Sequence, residues 1–299
     1  MEIALYILNK QMKILVTGGS GFLASHICDE LSSNGHDVRI FDKEKSKFNE
    51  KQHAFIKGDL GNTKLLKKIL KKIDAIYHFA AIADIGEAIL DPVETVKTNI
   101  LSTVNLLSLS VKYNIKRFVF ASTIYVNSED GSFYKSSKRA AENYIEEYSK
   151  LFGLKFTILR YGSLYGERSS SKNGITKIVN YAIKNKLVKY DGPKNTVREY
   201  INVKEAAKLS ADCLKKKYEN QYLVITGKKK IKISRLLKII KTFLKISSPI
   251  VYGKIKLLGH YVNTPHTYKW KRGLRLTARS GIAFEKDIIQ NLKNKTFLK

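Results

Sequence analysis

The chain is poor in the residues that build disulfide-held or metal-held scaffolds. Its two cysteines, Cys28 and Cys213, stand far apart with no metal-ligand spacing around them. Neither a disulfide framework nor a metal site is expected, and the usage fits a reducing cytoplasm. Prolines number four, and there is no internal repeat or low-complexity linker. No apolar run approaches the roughly 20 residues of a membrane span. The apolar stretch from Ile3 to Leu8 is shorter than a signal-peptide core, with Glu2 where positive charge is expected. Met12 opens MKILVTGG, itself a workable start, so residues 1–11 read as an extension or a mis-called start.

Acid is scarce as well. There are 26 Asp and Glu against 55 Lys and Arg, a net charge of +29. Such an excess suits nucleic acid or an anionic membrane surface. Only 10 of the 55 basic residues are Arg, however, and nucleic-acid readers lean on Arg for bidentate base contacts. KKILKK and LKKKY read as solvated helix faces. Neither a specific nucleic-acid partner nor a membrane is therefore expected, while a basic surface also serves a polyanionic small substrate.

What is present is enough for a large core: 299 residues, 43% hydrophobic and 27% charged. Short apolar strands alternate with helical patterns, which predicts βαβ units around a parallel sheet. Strands are expected at 13–17, 37–41, 53–57, 75–80, 116–122 and 155–160. Helices are expected from Phe22 to Asn34, from Pro92 to Tyr113, and through Tyr134 and Lys138. Beyond Arg160 the pattern loosens, with helix signals at 174–185, 203–216 and 233–246 and strand signals in LVKY and QYLVIT.

In TGGSGFLASH, Gly18, Gly21 and Ala24 follow a strand and open a helix. Gly18 permits a tight turn, Gly21 lets a pyrophosphate approach the backbone, and Ala24 lets helix and strand pack closely. The helix N-terminus adds free N–H groups and a positive dipole end. Asp42, 24 residues after Gly18, closes the next strand, where its carboxylate accepts from a ribose diol and repels a 2′-phosphate. NAD is thus the expected cofactor, although Lys43 and Lys45 leave NADP open. Asp59, in Gly58-Asp59-Leu60, is either a contact to the adenine or a turn former.

The stretch FYKSSKRA sets Tyr134 and Lys138 four apart on one helix face, about 5–6 Å between Cβ atoms. Tyr-x-x-x-Lys arises often by chance in a chain with 17 Tyr and this much Lys. Downstream of a dinucleotide site it reads as a proton-transfer pair. A phenol with pKa near 10 is a poor base at neutral pH, and a nearby ammonium with the positive nicotinamide is expected to lower it.

TGGSGFLASH, HFAA (78–81), Asp59-Leu60 and Tyr134-x-x-x-Lys138, in this order, resemble the extended short-chain dehydrogenase/reductase family, most of all its NAD-dependent nucleotide-sugar epimerases and dehydratases, such as the UDP-glucose 4-epimerases. The resemblance runs from Lys13 to about Ala207 and continues weakly to the C-terminus. It implies a Rossmann doubly wound parallel sheet with a smaller C-terminal substrate-binding lobe. Residues 12–162, with 196–226 returning to them, would form the NAD-binding domain; 163–195 and 227–299 would form the lobe.

The resemblance also implies roles. Thr123, Tyr134 and Lys138 would be catalytic. The cofactor would meet Gly18, Gly21, Phe22 and Leu23 at the pyrophosphate, and Asp42, Asp59 and Leu60 at the adenosine. Phe79, Ala80, Ala81, Asn99, Tyr134, Lys138 and Tyr161 would complete its site. Thr123, Ser163 and Arg198 would bind the substrate, a nucleotide-diphosphate sugar, with Arg198 gripping the diphosphate as a bidentate fork.

Some residues depart from the pattern. Ile124-Tyr125 follows Thr123 without the acid that dehydratases and decarboxylases carry, which leaves epimerisation or keto reduction. Ser163 replaces a usual Asn, and Ala83 a usual Lys, so the sugar stays open. His260, Tyr261, Tyr268 and Trp270 are stacking candidates without an assigned role. The expectation is a C4 epimerase of cell-surface carbohydrate precursor synthesis, homodimeric through 92–113 and 134–151. Its alternatives are an NAD(P)H-dependent nucleotide keto-sugar reductase and a non-catalytic dinucleotide-binding regulator.

Overall fold

A computed structural model describes residues 11–48, 53–254, 257–264, 274–277 and 281–294. Six parallel strands come first: β1 (Lys13–Thr17), β2 (Asp37–Asp42), β3 (Ala54–Lys57), β4 (Ala75–His78), β5 (Arg117–Thr123) and β6 (Phe156–Tyr161). Eight later strands follow: β7 (Ser163–Tyr165), β8 (Lys189–Tyr190), β9 (Val197–Arg198), β10 (Tyr200–Asn202), β11 (Gln221–Thr226), β12 (Ile231–Lys232), β13 (Val251–Tyr252) and β14 (Leu274–Thr277). The main sheet runs β14-β11-β6-β5-β4-β1-β2-β3, every neighbouring pair parallel.

The strands are near-continuous apolar runs because helices cover both faces. On one face Ile27 and Leu31 of the helix Phe22–Ser33 and Ala206 of the helix Val203–Ala211 join Val16, Ile40 and Ile225. On the other, Leu66, Leu106 and Ile145 come from the helices Thr63–Leu70, Ser102–Lys112 and Ser132–Phe152. A third apolar cluster lies off the sheet, where the helices Gly174–Asn185, Ile233–Phe243 and Phe284–Lys293 pack together. Among the described residues no helix is long and apolar enough to cross a membrane.

Strand order reverses between β1 and β4, and ligands of open α/β sheets bind at such a reversal, beyond the carboxyl ends of the strands. The seam there is hydrogen-bonded through a buried histidine. His78 Nδ1 lies 2.7 Å from Thr17 Oγ1, and Nε2 lies 2.9 Å from Thr103 Oγ1. Thr103 donates onward to the Asn99 carbonyl, so it accepts from His78 Nε2–H, and Thr17 donates to Nδ1. Burial and the Lys138 charge hold His78 down to about 3, so it stays neutral.

The segment from Pro92 to Tyr113 is not one uninterrupted α-helix. Pro92 opens a short helix capped by Asp91, and Lys97–Leu101 then winds as a π-helix before Ser102–Lys112. The π turn buries Asn99, and π turns concentrate at functional sites. The helix Phe284–Lys293 was not legible in the weakly periodic C-terminus. Residues 1–10, Tyr268 and Trp270 lie outside the described residues.

Candidate active site

A cavity of about 1080 Å³ opens at the carboxyl ends of β1, β4 and β5. Ligand pockets run to roughly 300–1,000 Å³, so this cavity stands at the large end of that range. The core of its first half is built between Gly18 and Lys43, with Asp59, Phe79, Ala80 and Ala81 joining from the ends of β3 and β4. Gly18 has φ +70°, and an added Cβ would lie 2.5 Å from the Ala80 nitrogen, so glycine is required where β1 presses on the turn after β4. Gly21 N–H donates to the Gly18 carbonyl at 3.0 Å, which closes the turn. No side chain caps the helix that starts at Phe22. Its first-turn N–H groups, at Phe22 and Leu23 on the cavity wall, therefore stay available to a phosphate.

At the end of β2, Asp42 Oδ2 accepts from Ser20 N at 3.0 Å, which fixes the carboxylate against the glycine turn. Lys43 pairs with Asp59 at 2.7 Å. Asp59 also accepts from Gly61 N at 2.6 Å, so this residue makes the turn and lines the cavity at once. Its carboxyl is held below the usual range by the Lys43 hydrogen bond first, then by the Gly61 N–H. With Lys43 engaged beside a fixed carboxylate, the pocket suits a ribose diol rather than a 2′-phosphate. These features fit NAD. Leu60, Phe79, Ala80, Ala81 and Tyr161 also line the cavity.

Asn99 stands apart from the other expected cofactor residues. It is buried and does not line the cavity. Its Oδ1 accepts from Ile82 N at 2.8 Å, and its Nδ2 donates to Ile82 O and Ser137 Oγ, both at 2.9 Å. The side chain thus clamps the loop after Ala81 to the helix Ser132–Phe152, and its donors and acceptor are spent there.

The helix Ser132–Phe152 starts at Gly131, with φ +101°, and carries Tyr134 and Lys138 into the cavity wall. Thr123 ends β5 on the same cavity wall, and its side chain eases loss of the Tyr134 proton. Burial is the larger effect and pushes Tyr134 up to about 12. Lys138 is only 3% exposed, donates to the Ala121 carbonyl at 2.9 Å and sits 4.7 Å from the Phe120 ring centroid. Burial pulls Lys138 down to about 7, with Glu142 opposing. The expected lowering of Tyr134 by Lys138 is therefore not built into the protein alone. An apolar wall costs both charged forms more than either group returns to the other.

Behind this pair lies a network that sequence reasoning missed. Arg160, fully buried on β6, pairs with Glu142 at 2.6 Å, and Glu142 also accepts from Ser122 Oγ at 2.5 Å. Glu142 is one turn beyond Lys138 on the same helix face, the only signal that marked it.

The second half of the cavity is gathered from distant segments. Arg198, on β9, is 8% exposed and stacks 4.0 Å from the Tyr261 ring centroid. Its Nη1 donates to the carbonyls of Val197 and Val262. Nε and Nη2 have no protein acceptor among the described residues, which leaves an edge of the fork for an anion. Ser163 Oγ lies 3.4 Å from the Tyr261 hydroxyl. Asn173 caps the helix Gly174–Asn185, whose first turn lines the wall with Ile175 and Lys177. Of the stacking candidates, His260 and Tyr261 line the cavity.

The model of the NAD dependent epimerase/dehydratase family matches residues 14–225. A putative UDP-glucose 4-epimerase of Methanocaldococcus jannaschii is 32% identical over 263 residues, spanning 81% of this chain and 85% of that protein. The UDP-glucose 4-epimerase of Thermotoga maritima, solved with UDP-glucose, superposes with a TM-score of 0.82 at 24% identity, over 95% of this chain and 99% of that one. The UDP-N-acetylglucosamine 4-epimerase of Methanobrevibacter ruminantium, in complex with UDP-N-acetylmuramic acid, gives 0.77 at 25% identity, over 96% and 97%. With a family match across both the glycine turn and the Tyr134–Lys138 helix, this chain belongs to the NAD dependent epimerase/dehydratase family.

Proposed function

We propose that the protein is an NAD-dependent nucleotide-sugar epimerase that inverts C4 of the sugar through a transient 4-keto sugar. The observation that carries this reading is the gathering of Thr123, Tyr134 and Lys138 on one cavity wall that also holds the glycine turn and Arg198. Bound NAD supplies a reversible hydride acceptor and a positive charge beside Tyr134.

The chain's residues do the rest. Thr123 orients the sugar hydroxyl and shares its proton with Tyr134, the general base that returns a proton at the end. Lys138, held by the Ala121 carbonyl, would hold the cofactor ribose and would favour the phenolate when charged. Arg198 anchors the diphosphate through the free edge of its guanidinium, and Ser163 contacts the substrate beside it. Residues 12–162 with 196–226 serve the cofactor in this reading, and 163–195 with 227–299 serve the substrate. The absence of an acid at Ile124-Tyr125 speaks against dehydration.

The reading extends to a homodimer in the cytoplasm serving carbohydrate precursor synthesis. Val93, Val96 and Leu101 before the fifth strand, and Tyr144, Leu151 and Phe152 on the helix Ser132–Phe152, are exposed apolar side chains on neighbouring helices. Light scattering of Leu101→Glu against the unaltered chain tests it, with a dimer giving way to a monomer. For the activity, UDP-, dTDP- and GDP-sugars are offered without added cofactor. Interconversion of one sugar pair supports the epimerase, whereas turnover only with one NAD(P)H consumed per product makes it a keto-sugar reductase.

A further inference from the structure

Beside the start of the Tyr134 helix, the segment 257–264 lines the cavity and is fastened at two points. On the cofactor side the Gly259 carbonyl accepts from Gly131 N, at the start of the Tyr134 helix, at 2.8 Å. Gly259 has φ +74°, and a Cβ there would lie 2.6 Å from Ile85 Cγ2. On the substrate side the Val262 carbonyl accepts from Val197 N at 2.7 Å. Between these anchors His260 Nδ1 lies 3.0 Å from the Tyr125 hydroxyl, and the Tyr125 and Tyr261 rings are 4.7 Å apart. Tyr125 is two residues beyond Thr123, and Thr123, Tyr125, Tyr134 and His260 share the cavity wall.

The reaction described above leaves this pair unused, and its hydrogen bonding leaves one atom over. Burial, with the Arg198 charge, lowers His260 and keeps the imidazole neutral at pH 7. Burial raises Tyr125, so its phenol keeps its hydrogen. The Tyr125 O–H has no other acceptor among the described residues, so we take it as the donor to Nδ1, which places the imidazole hydrogen on Nε2. The tautomer is assigned from this bond. Nε2 has no partner among the described residues.

We infer, resting on the nucleotide-sugar reading, that Tyr125 and His260 are specificity-determining residues: His260 Nε2–H donates to an uncharged oxygen of the sugar, and Tyr125 fixes the imidazole in the tautomer that does so. A site built to donate to one oxygen discriminates against a sugar that lacks it or turns it away. The pair thus occupies the place that the missing acid after Thr123 leaves open, with recognition in place of elimination chemistry.

Calorimetry tests this on the full-length protein by comparing a nucleoside diphosphate with the same diphosphate carrying its sugar. The pairs are UDP and UDP-glucose, dTDP and dTDP-glucose, GDP and GDP-mannose. The unaltered chain is expected to gain affinity from the sugar in at least one pair. His260→Asn should lose about tenfold of that gain, the worth of one hydrogen bond, with the bare diphosphate bound as before. His260→Gln, whose amide nitrogen reaches toward the Nε2 position, should keep most of it, and Tyr125→Phe should fall between. A merely structural role would move the bare diphosphate equally and would not separate Gln from Asn. An undiminished gain in His260→Asn, or no gain from any sugar in the unaltered chain, overturns the inference. Sugar-dependent binding that needs His260 but goes with no turnover sustains it and counts against the epimerase reading.

Discussion

The two halves of the cavity are built by different means. The cofactor half has its core within one short stretch of sequence: the turn at Gly18, the helix that follows, and the end of β2 at Asp42. The half proposed for the substrate takes Thr123, Ser163, Asn173, Arg198 and His260 from five separate segments. Its strands are two or three residues long, and its register is set by backbone bonds between remote loops, such as Val197 N to Val262 O. A nucleotide cofactor is met by local geometry that a short motif specifies. A variable sugar is met by a surface that only the tertiary fold assembles. The chain can therefore keep its cofactor chemistry while single residues of the second half alter the substrate.

Four substitutions break or sharpen this contrast. The largest effect is expected at the seam: Tyr134→Phe should lower kcat about 10²–10⁴-fold while released NAD and thermal stability stay unchanged. Normal NAD content with an undiminished rate would remove Tyr134 from the chemistry. Gly18→Val comes next, since it forces a branched side chain into φ +70° and against the Ala80 backbone. It should cost about 3 kcal/mol of stability and leave the purified protein without NAD, read by calorimetry and by mass spectrometry of the denatured supernatant.

Arg198→Met should act on the other half only. Losing the free edge of the guanidinium should raise KM about 10–100-fold with NAD content intact. Parallel loss of cofactor would show that the halves are not separable. The smallest effect is expected from Asp42→Asn, which keeps the Ser20 N–H bond but gives up the carboxylate facing the ribose. NAD affinity should fall about tenfold and the preference over NADP should narrow, measured by fluorescence titration of the stripped protein.

Legibility in the sequence followed the same division. The six-strand run, the helix opening at Phe22 and the Tyr134 face were readable because each is set by a period or a turn within about twenty residues. Asn99, expected at the cofactor, is instead buried behind the cavity wall, because its position depends on a π turn that no periodicity announces. The ionisation of Tyr134 in the protein alone was not legible for a related reason. Spacing on a helix gives proximity to Lys138 but says nothing of the apolar wall that raises one group and lowers the other. Nothing local announces the pairing of Glu142 with Arg160, which forms only where the helix packs on β6 and buries both. The Tyr125–His260 bond joins residues 135 apart, beyond the reach of any local pattern.

The most direct test of the central claim follows the fate of the hydrogen at C4. Purified protein, with no cofactor added, is given the nucleotide sugar it turns over, deuterated at C4, and the product is read by NMR and mass spectrometry. Retention of deuterium at C4 of the inverted sugar is the predicted result, because a hydride removed and returned within one cavity never meets water. Loss of the label to solvent, or no inversion until NADH is supplied, would contradict the account.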